Sequence, residues 1–153
     1  MLMTKGRIFS GMQPSGRFHL GNYMGALENW VRLQHEYECF FSIVDLHALT
    51  SSYSDTSKLQ ENVMEMAIDW LKCWSLTLKK MSFLYNLMLK STRELALLLG
   101  MSTPLSWLER VPTYKDKLQN WSAQGKDNNT YGFLGYPVLM AADIMLIKQP
   151  VFL

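Results

Sequence analysis

The sequence offers little that would support a cross-linked or metal-bound fold. Its 153 residues include only two cysteines, Cys39 and Cys73, which stand far apart and form neither a CxxC motif nor a Cys/His ligand spacing. A disulfide framework and a zinc site are therefore not expected, and we predict no metal ligands. Two buried free thiols in a cytoplasmic protein are the simpler prediction.

Long apolar runs and an excess of one charge are missing as well. No stretch reaches the roughly 18 apolar residues of a membrane span, and the first residues lack the apolar segment of a signal peptide. Fifteen Lys and Arg against 13 Asp and Glu give a formal net charge of +2, which is too small to indicate a nucleic-acid surface by itself. We therefore expect no membrane partner and a cytoplasmic location.

The first half of the sequence alternates between strand and helix patterns. Residues 7–10 and 39–44 are short apolar runs that end in polar or glycine-rich loops, as buried strands do. A helix face follows each strand, with Ser57 and Gln60 spaced for a capping box before the second helix. The members of the two faces are Leu20, Tyr23, Met24, Leu27, Trp30 and Val31, then Leu59, Val63, Met66, Ala67, Trp70, Leu71 and Trp74. This order predicts a single α/β domain with a parallel sheet and crossover helices.

The second half is predicted to be mostly helical. A third strand is indicated at residues 82–89, and helices are indicated at residues 92–100, 104–110, 113–121 and 131–147. The first of these helices should stop at Gly100, and Thr103 should cap the next with Pro104 in its first turn. The polar segment 125–130 indicates a loop, and Pro137 should bend the last helix.

The segment PSGRFHLGNYMGAL, residues 14–27, places glycines and a histidine between a strand and a helix. Gly16 and Gly21 have the GxxxxG spacing of a phosphate-binding loop, but Asn22 stands where that loop requires lysine, and GxGxxG is absent. Free N–H groups at a helix start favour an anion, Gly21 would admit a flat base, and His19 can donate to phosphate oxygens. The segment therefore predicts an ATP site at the carboxyl end of a parallel sheet.

Four blocks in order resemble class I aminoacyl-tRNA synthetases, in the form used by the bacterial tryptophanyl branch. They read FSGMQPSGRFHLGNYMGAL, QHEYECFFSIVDLHALT, LLLGMSTPLSWLERVPTYKDKL and YGFLGYPVLMAADIMLI. The resemblance implies a Rossmann-like, HUP-type catalytic domain, with its nucleotide-binding half at residues 1–75 and a helical connecting insertion at about 90–135. The family's GxDQ segment, KMSKS-type loop and anticodon-binding domain do not occur in these 153 residues, so the expected fold is the N-terminal part of that domain.

The resemblance also implies chemistry. Tryptophan would be activated with ATP and Mg²⁺ to tryptophanyl-adenylate and transferred to tRNA(Trp), in a homodimer without a tightly bound cofactor. The implied ATP-binding residues are Gln13, His19, Gly21 and Asn22. The implied tryptophan-binding residues are Phe9, Gly11, His47, Tyr136, Met140 and Asp143, with Asp143 accepting from the indole N–H. His19, Asn22 and Lys115 are the implied catalytic residues.

Two alternatives remain open from the sequence. A tyrosyl-tRNA synthetase shares this fold, although HLGN together with MAADI favours the tryptophanyl branch. A non-catalytic nucleotide-binding or dimerisation module would keep the fold without turnover. Residues 75–93 depart from the family's pattern. Such reactions depend on several cationic donors that act together, and the KMSKS-type loop that supplies some of them does not occur in these 153 residues. We therefore expect the isolated chain to bind ATP or tryptophan weakly and to form no tryptophanyl-tRNA.

Overall fold

The computed structural model describes residues 6–17, 19–72, 81–85, 90–125, 129–147 and 151–152. The strands are β1 Arg7–Met12, β2 Glu38–Ile43, β3 Met81–Tyr85 and β4 Val151–Phe152. The helices are α1 Leu20–Asn22, a π-helical segment Tyr23–Leu27, α2 Glu28–Leu33, α3 Asp45–Ser52, α4 Leu59–Lys72, α5 Lys90–Ser102, α6 Leu105–Leu108, α7 Pro112–Ala123 and α8 Tyr131–Ile147. No helix within these ranges is long and apolar enough to cross a membrane.

The four strands form one parallel sheet in the order β3-β2-β1-β4. The β1–β2 register runs from Arg7 opposite Glu38 to Met12 opposite Ile43, and Ile8 lies opposite Val151 in β4. From β1 the chain passes first to β2 on one side and later to β4 on the other. This is a topological switch point, where the carboxyl ends of parallel strands leave a crevice. The predicted α/β class and parallel sheet are confirmed.

The core lies where α2 and α4 pack on the sheet. The Trp30 ring stacks on Phe41 of β2, with centroids 4.3 Å apart and planes 8° apart. Trp70 of α4 meets Trp30 edge-on at 4.9 Å. Cys39 is a free, buried thiol in the same core, and burial raises its pKa to about 11. The prediction for Cys39 is confirmed, whereas Cys73 lies outside the described residues.

Helix α3 was not predicted, because the sequence indicated only that the second strand breaks at Asp45 and that the Ser, Tyr and Asp residues around 51–57 form a loop. The structure shows how the helix accommodates its hydroxyl residues. The Thr50 hydroxyl donates to the His47 carbonyl at 2.7 Å, and Ser51 donates to the Ala48 carbonyl at 3.2 Å. Both hydroxyls therefore form hydrogen bonds to carbonyls of the same helical turn, and the helix is kept.

The predicted capping box before α4 is wrong. Helix α4 begins at Leu59, one residue later than capping by Ser57 requires. The Ser57 hydroxyl and N–H instead donate to the Asp55 carboxylate at 2.6 and 3.0 Å. These hydrogen bonds lower the pKa of Asp55, since they stabilise its charged form.

The helix boundaries in the second half also differ in detail. Helix α5 continues through Gly100 and ends where the Ser102 and Thr103 hydroxyls donate to the Leu99 carbonyl. Thr103 therefore closes α5 instead of capping the next helix, and Pro104 is the N-cap of α6. Helix α8 spans the predicted range and contains Pro137. Strand β3 begins one residue before the predicted strand, whose residues 86–89 lie outside the described part of the chain.

Candidate functional site

A cavity of about 280 Å³ opens beside the carboxyl end of β1, at the switch point of the sheet. One wall comes from β1 and the residue that follows it, a second from the start of α3, and the third from α8. The lining residues are Phe9, Ser10, Gly11, Gln13, Val44, His47, Tyr136, Met140, Asp143 and Ile144. An aromatic and aliphatic cavity with a few polar groups suits a small ligand that has a large apolar part and a polar edge.

Gly11 brings two of these walls together. A Cβ atom at position 11 would lie 2.7 Å from Cγ1 of Val44, closer than two carbon atoms can pack. The absence of a side chain therefore lets the segment after β2 approach β1. This close approach sets the width of the cavity between the two strand ends.

A buried pair of polar side chains, His47 of the second wall and Asp143 of the third, lies in the cavity. Nε2 of His47 lies 3.0 Å from Oδ2 of Asp143, and the two side chains are only 7% and 3% exposed. A carboxylate in the apolar helix α8 requires a donor, because burying an unpaired charge is costly. His47 supplies that donor from the first turn of α3, 96 residues earlier in the chain.

A second polar arrangement lies at the start of α1. The His19 N–H donates to Oδ1 of Asn22 at 3.1 Å, and Nδ1 of His19 accepts from the Asn22 N–H at 3.3 Å. Because a nitrogen that accepts cannot carry the proton, a neutral His19 ring carries its proton on Nε2. The capping box thus fixes the tautomer of an exposed imidazole and presents one N–H donor.

The structure brings together some predicted site residues and not others. All six residues predicted for tryptophan line the cavity, as does Gln13 of the predicted ATP set. His19, Gly21 and Asn22 share the start of α1 and are outside the cavity lining. Lys115 is exposed on α7 and does not line the cavity.

Sequence reasoning missed three of the lining residues, Ser10, Val44 and Ile144. Each adjoins a residue or segment that had been singled out, so proximity in the chain was the available signal. Ser10 precedes Gly11, Val44 ends the second apolar run, and Ile144 follows Asp143.

Comparison with known proteins places this architecture in a class. The family model described as tRNA synthetases class I (W and Y) matches residues 3–153. The chain therefore belongs to this family of class I tRNA synthetases. Within it, the chain is 51% identical over 142 residues to the tryptophan–tRNA ligase of Ralstonia nicotianae, covering 93% of this chain and 35% of the ligase.

Solved structures agree with this assignment. The tryptophanyl-tRNA synthetase of Campylobacter jejuni, complexed with ADP and tryptophan, superposes with a TM-score of 0.84 at 38% identity, covering 95% of this chain and 44% of that one. The tyrosyl-tRNA synthetase of Archaeoglobus fulgidus, complexed with L-tyrosine, superposes with a TM-score of 0.77 at 19% identity, covering 99% and 46%. At that identity the second likeness shows the fold alone. The chain spans less than half the length of each of these relatives.

Proposed function

We propose that these residues carry the tryptophan pocket and part of the ATP site of a tryptophan–tRNA ligase. The observation that carries the proposal is the cavity beside β1, which contains all six residues predicted for tryptophan around the buried Asp143 carboxylate. The likeness to ligases named for tryptophan supports the same substrate. The complex of the Campylobacter relative with ADP supports an adenine nucleotide as the second ligand.

In the proposed reaction, a tryptophan carboxylate oxygen attacks the α-phosphorus of ATP and pyrophosphate leaves. The resulting adenylate then passes its tryptophanyl group to the 3′ end of tRNA(Trp), releasing AMP. Mg²⁺ would enter with the triphosphate as part of the substrate. Such a reaction depends on positioning and charge stabilisation more than on a nucleophilic side chain. A homodimer in the cytoplasm is the assembly and location we propose with it.

The cavity residues bind tryptophan in this proposal, and residues at the start of α1 and on α7 bind the phosphates. Asp143 accepts from the indole N–H, while Phe9, Tyr136 and Met140 pack on the ring. Nε2–H of His19 donates to a phosphate oxygen, because the capping box leaves that nitrogen as the donor. Gln13, the member of the predicted ATP set that lines the cavity, contacts the nucleotide from there. Asn22 holds His19 in place, and Lys115 supplies positive charge for the phosphates.

The test is a chimera in which residues 7–147 of this chain replace the matching segment of the Ralstonia ligase. We expect tryptophan-dependent and not tyrosine-dependent ATP–pyrophosphate exchange, followed by charging of tRNA(Trp). Asp143→Asn in the chimera should weaken tryptophan binding by about 1.5–3 kcal/mol, or roughly 10- to 150-fold, since the acceptor loses its charge and one of its two accepting oxygens.

The 153-residue chain alone serves as the comparison, with weak ligand binding and no charging expected. A chimera that folds but exchanges pyrophosphate only with tyrosine would overturn the assignment of substrate. Unchanged tryptophan affinity in Asp143→Asn would remove Asp143 from the recognition of the indole.

A further inference from the structure

We propose that His47 is a positioning residue, whose imidazole fixes the Asp143 carboxylate so that the cavity selects a ligand ring bearing an N–H donor. The inference rests on the proposed function and deepens it. It changes the role predicted for His47 from a residue that binds tryptophan to one that acts through Asp143.

The first step is the bond itself. Nε2 of His47 and Oδ2 of Asp143 are 3.0 Å apart, and both side chains are almost wholly excluded from solvent. A carboxylate oxygen accepts, so Nε2 of His47 must carry the proton in this pair. A charge-assisted bond of this length constrains the rotation of the carboxylate plane.

The second step is that His47 is itself held rigidly. It occupies the first turn of α3, directly after β2, and its carbonyl accepts from the Thr50 hydroxyl at 2.7 Å. Val44, immediately before α3, is seated against Gly11 of β1. The backbone that carries the imidazole is therefore held relative to the sheet, whereas Asp143 belongs to the separate wall formed by α8.

The third step joins the two walls. Helices α3 and α8 contact each other. The His47–Asp143 bond links the carboxylate on α8 to the start of α3, directly after β2. A hydrogen-bond acceptor discriminates well only when its direction is set before the ligand arrives. The loss of His47 should therefore cost affinity for a ligand that donates to Asp143 and spare a ligand of the same shape that cannot.

The experiment compares tryptophan with β-(3-benzothienyl)alanine, in which sulfur replaces the indole N–H. Both ligands are titrated into the full 153-residue chain by NMR, which measures weak dissociation constants. His47→Leu removes the donor at similar volume, and His47→Gln keeps an N–H donor near the position of Nε2. We expect His47→Leu to lose about tenfold in tryptophan affinity, while its affinity for the analogue changes less than about twofold.

His47→Gln should stay within about threefold of the wild type for both ligands. In an Asp143→Asn background, His47→Leu should have no further effect on tryptophan, since the two residues act as a unit. Equal losses for tryptophan and the analogue would overturn the proposal in favour of a purely structural role. Unchanged tryptophan affinity in a folded His47→Leu chain would overturn it as well.

Two further readouts test the proposal without the Leu variant. Long-range ¹H–¹⁵N spectra of the ligand-free wild type should show the proton on Nε2 of His47, and a proton on Nδ1 alone would contradict the pair. A wild-type chain that binds both ligands equally would end the proposal for His47 and for the indole bond together. Tryptophan-dependent exchange by the chimera would then still support the proposed ligase.

Discussion

At the scale of single residues, the contact between Gly11 and Val44 is the most demanding feature of the cavity. Gly11→Ala would place a Cβ atom 2.7 Å from Cγ1 of Val44, so the Val44 side chain or the strand ends must shift. Overpacking of this kind costs about 1–3 kcal/mol, and we expect the free energy of unfolding in urea to fall by that amount. Tryptophan affinity should fall with it, because both residues line the cavity.

The matched control for this substitution is Gly25→Ala. Position 25 lies in the π-helical segment, and a Cβ atom added there would meet nothing within 4 Å. The control should leave stability unchanged or raise it by up to about 1 kcal/mol. Equal effects of the two substitutions would show that the Gly11–Val44 approach does not shape the site.

Gly21 carries a second prediction at this scale. A Cβ atom there would lie 3.1 Å from Cε1 and Nδ1 of the His19 ring, which must then shift by a few tenths of an ångström. The shift strains the 3.3 Å bond to the Asn22 N–H, and a weakened cap is worth about 0.5–2 kcal/mol. We therefore expect Gly21→Ala to weaken ATP binding by about 2- to 30-fold in the chimera, measured by calorimetry, while the fold survives.

Gly25→Ala again provides the comparison, since it adds a methyl group to the same helical stretch away from His19. If Gly21→Ala binds ATP as the wild type does and melts at a higher temperature, Gly21 is simply a helix residue. The sequence suggested that Gly21 lacks a side chain only to make room for the adenine. The structure adds that the absence of a Cβ atom also makes room for the His19 ring.

The residues of the cavity were largely predictable, whereas the link between His47 and Asp143 was not. Phe9, Gly11 and Gln13 stand close together in one block of the family resemblance, so the resemblance alone implied that they share a site. His47 and Asp143 are 96 residues apart and belong to different helices. No spacing rule in the sequence reports the distance between side chains on two such elements, because the packing of the whole domain decides it.

At the scale of elements, the junction of α2, β2 and α4 depends on one side chain. Trp30 of α2 stacks on Phe41 of β2 and meets Trp70 of α4 edge-on, so it links the three elements. Trp30→Ala should lower the free energy of unfolding by about 3–5 kcal/mol, as large-to-small core substitutions do. Trp107→Ala is the control, because Trp107 is 61% exposed on α6, and it should change stability by less than about 0.5 kcal/mol.

Urea denaturation monitored by circular dichroism measures both variants. A Trp30→Ala chain as stable as the control would mean that the three aromatic rings do not form the main core. The strands and most helices of this region were predicted from their apolar periodicity. Helix α3 was missed because Thr50 and Ser51 bond to their own backbone in both loops and helices, so their identity does not distinguish the two.

At the scale of the whole molecule, several large apolar side chains on α5 and α6 are exposed to solvent. They are Leu97, Leu98, Met101, Leu105 and Trp107. Exposed apolar side chains on neighbouring helices favour association, and the homodimer expected from the family resemblance remains a prediction. Sedimentation velocity should show the average mass of the chain rising with concentration.

The double substitution Leu98→Glu and Met101→Glu should shift the chain towards monomer at every concentration, because it buries charge in the contact. Met64→Glu is the control, since Met64 is comparably exposed on α4. Identical sedimentation of the control and the double variant would place the contact elsewhere. Exposure of these residues was not predictable from the sequence, where their apolar character indicates only a helix face.

The cavity takes its walls from distant parts of the chain, and this has a consequence for how the protein is made. Strands β1 and β2 and helix α3 leave the ribosome long before α8, because residues 9–13 and 44–47 precede residues 136–144. Contacts of such long sequence separation form late in folding. The ligand pocket is thus completed only when α8 docks, and a ligand that binds the closed cavity would draw the last helix into place by mass action.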